Sequence, residues 1–352
     1  GGATRDAVFE GRGDFTPCFF WEVPGFFRDP DVLPVDVALI QVTPPDENGN
    51  CSLGVSVDYT YQAVQQARTV IAQVNDQMPF TLGLHSTVPV EQITCFVPRS
   101  TPVIELSPPS IGPVEEAIGR NCAALIRDGD TLQLGIGAIP DAVLRFLGDK
   151  NDLGIHSEMF SDGVVELVER GVINNRRKTL QPGKSVAAFL MGTRRLYDYA
   201  HRNPAVMMAP VDYVNDPRVI CQNDNMVSIN SCVQVDLMGQ AASETVGYKQ
   251  ISGTGGQVDF IRGAAMSRGG RSILAFPSTV KGRPSKIVPL LDEGAAVTTS
   301  RDDVDYVVTE YGAAHLKGRT LRDRARALIQ IAHPDFRPDL IRHFIRRFHC
   351  DW

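Results

Sequence analysis

A chain of 352 residues with 43% apolar and 22% charged side chains has room for two soluble α/β domains. Its formal charge of −6 argues against nucleic acid as the main partner, because a phosphate backbone is gripped by clustered Lys and Arg. No run approaches the roughly 20 apolar residues that span a bilayer and no signal peptide is visible, so a soluble, cytoplasmic protein is expected.

In chain order, residues 11–27 (GRGDFTPCFFWEVPGFF) hold too many aromatics and prolines for a linker. Phe19, Phe20 and Trp21 read as a core cluster, with an acyl pocket as the other reading. Residues 35–42 predict a strand, Asn48-Gly49 a turn, Asp58 the cap of a helix reaching about Ala67, and residues 69–75 and 102–106 two further strands. The segment 107–113 (SPPSIGP) suits neither a helix nor a central strand, and it divides the chain into domains 1–110 and 111–352.

Past this boundary a helix over Ile118, Cys122, Leu125 and Ile126 stops at Asp128-Gly129. Residues 132–136 then predict a strand running into Gly135-Ile136-Gly137-Ala138, with Pro140 at the first position of a helix. Such a turn aims bare backbone N–H groups and the positive end of a helix dipole into the space above the strand, where an anion or an oxyanion can sit. A short strand at residues 153–155 delivers His156, Ser157 and Glu158 to its carboxyl end, the edge where open α/β sheets bind ligands. Asp162-Gly163 starts the next helix and Gly171 ends it. Residues 185–191 and 206–211 read as strands, with a helix over 193–201 between them. Alternation over 226–237 predicts antiparallel pairing within a mostly parallel fold. Residues 251–263 (ISGTGGQVDFIRG) are a second glycine turn entering a helix. Short strands over 272–277, 287–291 and 305–309, the last ending at Glu310, lead to closing helices over 321–331 and 340–348. The excess of basic residues after Lys317 reads as a solvated helix face. Seven scattered cysteines without C-x-x-C spacing read as reduced, buried thiols, neither a disulfide frame nor a zinc site.

At GIGAIP (135–140), at HSEMFSDGVVELVERGVI around Glu158, at SINSCVQVDL around Asn230, at SGTGGQVDF around Gly255-Gly256 and at VDYVVTEYG, the sequence resembles the acetyl-CoA hydrolase/transferase family. Within it the chain looks most like the 4-hydroxybutyrate CoA-transferases, over nearly its whole length. The resemblance implies two related, open, mostly parallel α/β domains with the active site between them. Members carry a further portion ahead of GRGDFTPCFF and a longer segment around 80–97, so the N-terminal domain is expected to be partial. It also implies a ping-pong transfer of coenzyme A between a short-chain acyl-CoA (4-hydroxybutyryl-, butyryl- or acetyl-CoA) and a carboxylate such as acetate. Glu158 would be the nucleophile, forming a glutamyl-CoA thioester. The amides of Ile136 and of Gly256, beside Gly255, would receive the oxyanions, and Asn230 would orient the carbonyl. Gly135, Gly137, Ala138 and Gly253 would lie against coenzyme A, which is cosubstrate; no metal or other cofactor is implied, and a homodimer or larger assembly is expected.

The chemistry is sensible on its own terms. Thioesters are reactive enough for a carboxylate to attack, and only an acyl-glutamate can pass coenzyme A onward with the thioester energy kept. Ser157 is no hydrolase serine, since G-x-S-x-G is missing around it. Glu310 reads as a structural cap, a Gly-Gly pair as a plain turn, and Asn230 as a bond to a neighbouring strand if the resemblance is set aside. Three other readings stay open: an acyl-CoA hydrolase with water as acceptor at the same site, a sugar-phosphate-binding α/β protein, and a non-catalytic partner subunit.

Overall fold

In the computed structural model, which describes residues 2–352, the first strands are β1 (Val37–Val42), β2 (Thr69–Val74) and β3 (Cys95–Pro98), parallel and adjacent in that order. Along β1 the apolar residues alternate as a half-covered sheet requires: Ala38, Ile40 and Val42 are buried while Val37 and Leu39 are exposed. The Asp58 carboxylate accepts the Thr60 N–H at 2.9 Å and so starts the helix Thr60–Gln66. The strand expected over 102–106 is not there. Cys95–Pro98 already occupies the free edge of β2, which leaves the later segment no strand to pair with; it runs as coil, tied by the Leu106 N–H to the Gly192 carbonyl.

After this coil comes α1 (Pro113–Ala123), whose Glu115 reaches back to accept the Gly112 N–H at 3.0 Å while Pro113 sits at a position that needs no donor. A second, larger sheet follows, made of β4 (Thr131–Leu134), β5 (Gly154–Ile155), β6 (Met226–Asn230), β7 (Arg271–Ala275), β8 (Tyr306–Thr309) and β9 (Gly312–His315). Its order is β9-β8-β7-β6-β4-β5, parallel throughout except for the closing β8–β9 hairpin. The helix α2 (Ala138–Arg145) leaves this sheet at the end of β4, α3 (Asp162–Glu169) follows the short strand Met159–Phe160, and α4 (Gln257–Met266) follows the second glycine turn and leads into β7. The architecture is therefore mixed α/β with mostly parallel sheets.

Several expectations are corrected here. The alternating run 226–237 does not form an antiparallel strand at its start. β6 is central and parallel, with Ile229 opposite Leu134 and Asn230 opposite Leu274, and Ser228 is as buried as its apolar neighbours. Strands of parallel sheets are covered on both faces, so the alternation carried no information about exposure. Only Gln234–Asp236 pairs antiparallel, with Ala241–Ala242. The single strand over 185–191 is two, Ser185–Ala187 and Phe189–Leu190, because Ala188 turns its carbonyl to the Val57 N–H and the two halves take different partners. The helix after the first glycine turn begins at Ala138, which puts Pro140 third in it; the amide proline lacks is among the unpaired ones there too.

One apolar core runs from Ala38 in β1 to Val308 in β8 without a break at the coil, and a second gathers α5 (Leu321–Ile331) and α6 (Arg337–Phe348) onto β7 and β8. All seven cysteines are free thiols. Among the described residues no helix is long and apolar enough to cross a membrane, and no group of three or more His, Cys, Asp and Glu could hold a metal ion.

Candidate active site

The short strand β5 leads into three consecutive side chains, each with partners of its own. His156 is fully buried, and burial, with Lys178 next to it, pushes its pKa down to about 3. The ring is therefore neutral, and its Nε2, 2.8 Å from the Val214 carbonyl, carries the hydrogen and donates. The Ser157 hydroxyl donates to the Leu134 carbonyl at 3.1 Å and accepts the Leu134 N–H at 3.3 Å, so it holds the end of β4 just before the first glycine turn. Glu158 faces the other way. Its carboxylate accepts from Asn215 Nδ2 at 2.8 Å and from the Gly256 N–H, while its own carbonyl accepts the amides of Ala188 and Phe189.

Beneath this strand Lys178 is buried with no carboxylate on it. Its Nζ donates to the carbonyls of Ile155 at 2.7 Å and Lys184 at 2.6 Å, and burial lowers its pKa to about 7. The ammonium thus pins the residue before the His156-Ser157-Glu158 run.

The electrostatics of Glu158 are a contest. Burial pushes its pKa up to about 7; the Asn215 amide pulls it down, the Asp58 carboxylate adds to the rise, and the Gly256 N–H opposes it. That last amide is the N-cap of α4, where the helix dipole also favours a negative charge. Asp259, in the first turn of the same helix, is 1% exposed, and burial pushes it up to about 7 as well. Its Oδ2 lies 3.5 Å from Asn215 Nδ2 and accepts the Trp21 N–H at 3.3 Å.

The residues singled out in the sequence fall into three places. Glu158 and Gly256 meet directly: a Cβ on Gly256 would lie 2.1 Å from Glu158 Oε2 and 2.4 Å from Asn215 Nδ2, so only glycine fits. Gly255, with φ +58°, makes the turn, and Gly253 packs on the Phe15 ring. Ile136 and Gly137 line an open cleft of about 310 Å³ with Asp141, Ser161, Arg145 and Arg170, beside Gly135 and Ala138. Asn230 is engaged elsewhere. It exchanges two hydrogen bonds with the Gln133 amide across β4 and β6, at 2.9 and 3.2 Å, and no contact joins it to Glu158. Glu310 accepts both the amide and the hydroxyl of Ser278. Phe19, Phe20 and Trp21 are half-buried, with Phe20 edge-on to Tyr59.

Sequence reasoning missed Asn215 and Asp259. Asp259 sits inside SGTGGQVDF, three residues past Gly256, where an acid at a helix start reads as an ordinary dipole partner. Asn215 precedes Asp216-Pro217 and reads as a turn residue.

Two family models match the chain: the acetyl-CoA hydrolase/transferase N-terminal domain over residues 1–105 and its C-terminal domain over residues 192–344. The chain is 66% identical to the 4-hydroxybutyrate coenzyme A transferase of Clostridium kluyveri, over 99% of its own length and 81% of that protein. It is 40% identical to the butyryl-CoA:acetate CoA-transferase of Anaerostipes caccae, over 97% of this chain and 78% of that one. Among solved structures, the 4-hydroxybutyrate CoA-transferase of Porphyromonas gingivalis superimposes with a TM-score of 0.86 at 52% identity, covering 95% of this chain and 80% of that chain.

Proposed function

The chain belongs to the acetyl-CoA hydrolase/transferase family and moves coenzyme A between an acyl-CoA and a carboxylate; from that premise we propose that Glu158 is the group that carries the coenzyme. The observation behind this reading is the buried Glu158 carboxylate held by two N–H donors, Asn215 and Gly256, at the carboxyl end of a parallel strand.

The Glu158 carboxylate attacks the thioester carbonyl carbon; the C–S bond breaks, giving a mixed anhydride and coenzyme A thiolate. The thiolate then attacks the glutamyl carbonyl carbon, the anhydride C–O bond breaks, and the first carboxylate leaves a glutamyl thioester behind. A second carboxylate runs the sequence in reverse. Each tetrahedral intermediate carries an oxyanion. The amide of Gly256 and the Asn215 side chain are within reach of the one on the glutamyl carbon, and the Ile136 amide, at the open cleft, serves the one on the acyl carbon. With a pKa of about 7, about half of Glu158 is ionised at neutral pH, and the ionised form is poorly solvated and so reactive.

The first glycine turn, Gly135 to Ala138, and Gly253 lie against coenzyme A in this reading, and Asn230 acts on the carbonyl only after its amide leaves Gln133. The donors are 4-hydroxybutyryl-, butyryl- or acetyl-CoA and the acceptor is acetate or a similar acid, with no metal or further cofactor. Division into domains at about residue 110, a homo-oligomer and a cytoplasmic site belong to the same reading.

The test is intact mass after incubation with butyryl-CoA, beside Glu158→Gln, with borohydride reduction and peptide mapping. We expect one modified glutamate, Glu158, and none in the variant. Free coenzyme A accumulating without an adduct would favour water as the acceptor, and the absence of both would refute the reading.

A further inference from the structure

The second carboxyl group of this site has no part in the transfer steps above. Asp259 is as buried as the core around it, yet it meets no cation: its Oδ2 takes the Trp21 N–H and faces Asn215 Nδ2 at 3.5 Å. Asn215 therefore stands between two carboxyl groups with its NH₂ toward both. Its Oδ1 is buried and has no hydrogen-bond partner, an arrangement that folded proteins avoid. Turning the amide over would give Oδ1 new surroundings but would set an acceptor against two acceptors. The orientation is kept because both amide hydrogens have a carboxyl group to go to.

We propose that Asp259 is a positioning residue for the nucleophile: it takes the second amide hydrogen of Asn215, which aims the first at Glu158, and it shares a single negative charge with Glu158 across that amide. The inference rests on the reading of Glu158 as nucleophile. Asp58 bears on Glu158, Glu158 and Glu22 bear on Asp259, and the Cys18 thiol lies beside Glu22 and Asp259. Two buried carboxylates this close cannot both ionise easily, so near neutral pH the pair holds one proton and titrates as a unit. When Asp259 holds it, Glu158 is the charged and attacking member. Trp21 extends the arrangement to the segment Phe20–Glu22, whose backbone fixes the far side of Asp259.

The experiment is the pH dependence of kcat/KM for butyryl-CoA and acetate in three forms of the full chain: wild type, Asp259→Asn and Asn215→Ala. An asparagine at 259 keeps the shape and cannot charge, so Glu158 titrates alone and its acid limb moves to lower pH by about one unit. Removing the Asn215 donor strips the ionised form of its support, so in that variant the limb moves to higher pH. Shifts of opposite sign are the result expected. An Asp259→Asn limb that stays in place, with activity merely scaled down, overturns the inference, as does an Asn215→Ala limb that moves down. Should Asp259→Asn fail to fold, Asp259→Ser, smaller and equally unable to ionise, carries the test: a limb moved to lower pH supports the inference and an unmoved limb overturns it. If turnover itself is absent, infrared difference titration of wild type against Glu158→Gln reads the protonation of Glu158 directly, which separates failure of this inference from failure of the transferase reading.

Discussion

The two glycine turns look alike on paper and do different things. Gly135 to Ala138 and Thr254 to Gly256 each lead into a helix with bare amides at its start. At the first turn Gly137 has φ +119° and nothing within 4 Å of where a Cβ would be, and Gly135 is equally unobstructed. At the second the two requirements are divided between neighbours: Gly255 supplies the positive φ, whereas Gly256, at φ −90°, has a backbone any residue could adopt and is glycine only for space. A glycine kept for its angle says that the chain turns, and one kept for its space names a partner. Here that partner is Glu158.

Substitutions along the two turns should separate along this line. Gly256→Ala is expected to have the largest effect, because its methyl must displace Glu158 or Asn215; the loss of one oriented donor lowers kcat/KM by about 10²- to 10³-fold in a coenzyme A transfer assay. A smaller loss would mean that Glu158 tolerates displacement and that the second turn resembles the first after all. Next comes a pH effect confined to the second turn. Folding raises the pKa of Glu158 above its unfolded value, so the native state binds more protons between about pH 4.5 and 7 and loses stability as pH rises through that window. Glu158→Gln removes this loss, and its stability relative to wild type in urea should be more favourable at pH 8 than at pH 5, by an amount on the order of 2 kcal/mol. His156 has the opposite sign. Its folded pKa of about 3 means stability is lost as pH falls below its ordinary value of 6.5, equally in both proteins, so it cancels from the difference.

Smaller effects belong to angle alone. Gly137→Ala and Gly255→Ala should each lower stability by about 1–2 kcal/mol, since L residues resist positive φ, and neither should move the acid limb of the activity profile. Gly135→Ala should change stability by less than about 0.5 kcal/mol. A raised KM for acyl-CoA in the same variant is the outcome that agrees with coenzyme A lying against the first turn, and the two turns would then face each other across the substrate.

Much of this could be read without coordinates, and the failures share a cause. The strand–turn–helix passage through Gly135 to Ala138, the second glycine turn entering its helix, the His156-Ser157-Glu158 run at a strand end and the helix Leu321–Ile331 follow from local spacing. What was lost depends on distant partners. Asn215 reaches Glu158 across 57 positions and Asp259 across 44, and nothing in the residues flanking either one announces such a meeting. The spacing in β6 misleads because Ser228 and Asn230 mimic the polar side of a half-exposed strand, although one is buried and the other is satisfied by Gln133. The resemblance placed Asn230 on the substrate carbonyl, whereas folding alone gives it an amide neighbour.

Lys178 has a consequence of its own. An amine with a pKa of about 7 is uncharged for about half of the time near neutral pH, and an uncharged amine is the form that thioesters acylate without any enzyme. This one spends its life in a protein that handles thioesters, and it is shielded only by packing, at 5% exposure. Acylation at Lys178 can proceed only while the strand above it is transiently open. The rate at which the acyl mark accumulates there, set against a surface lysine such as Lys281, is then a chemical clock for how often the floor of the site comes apart.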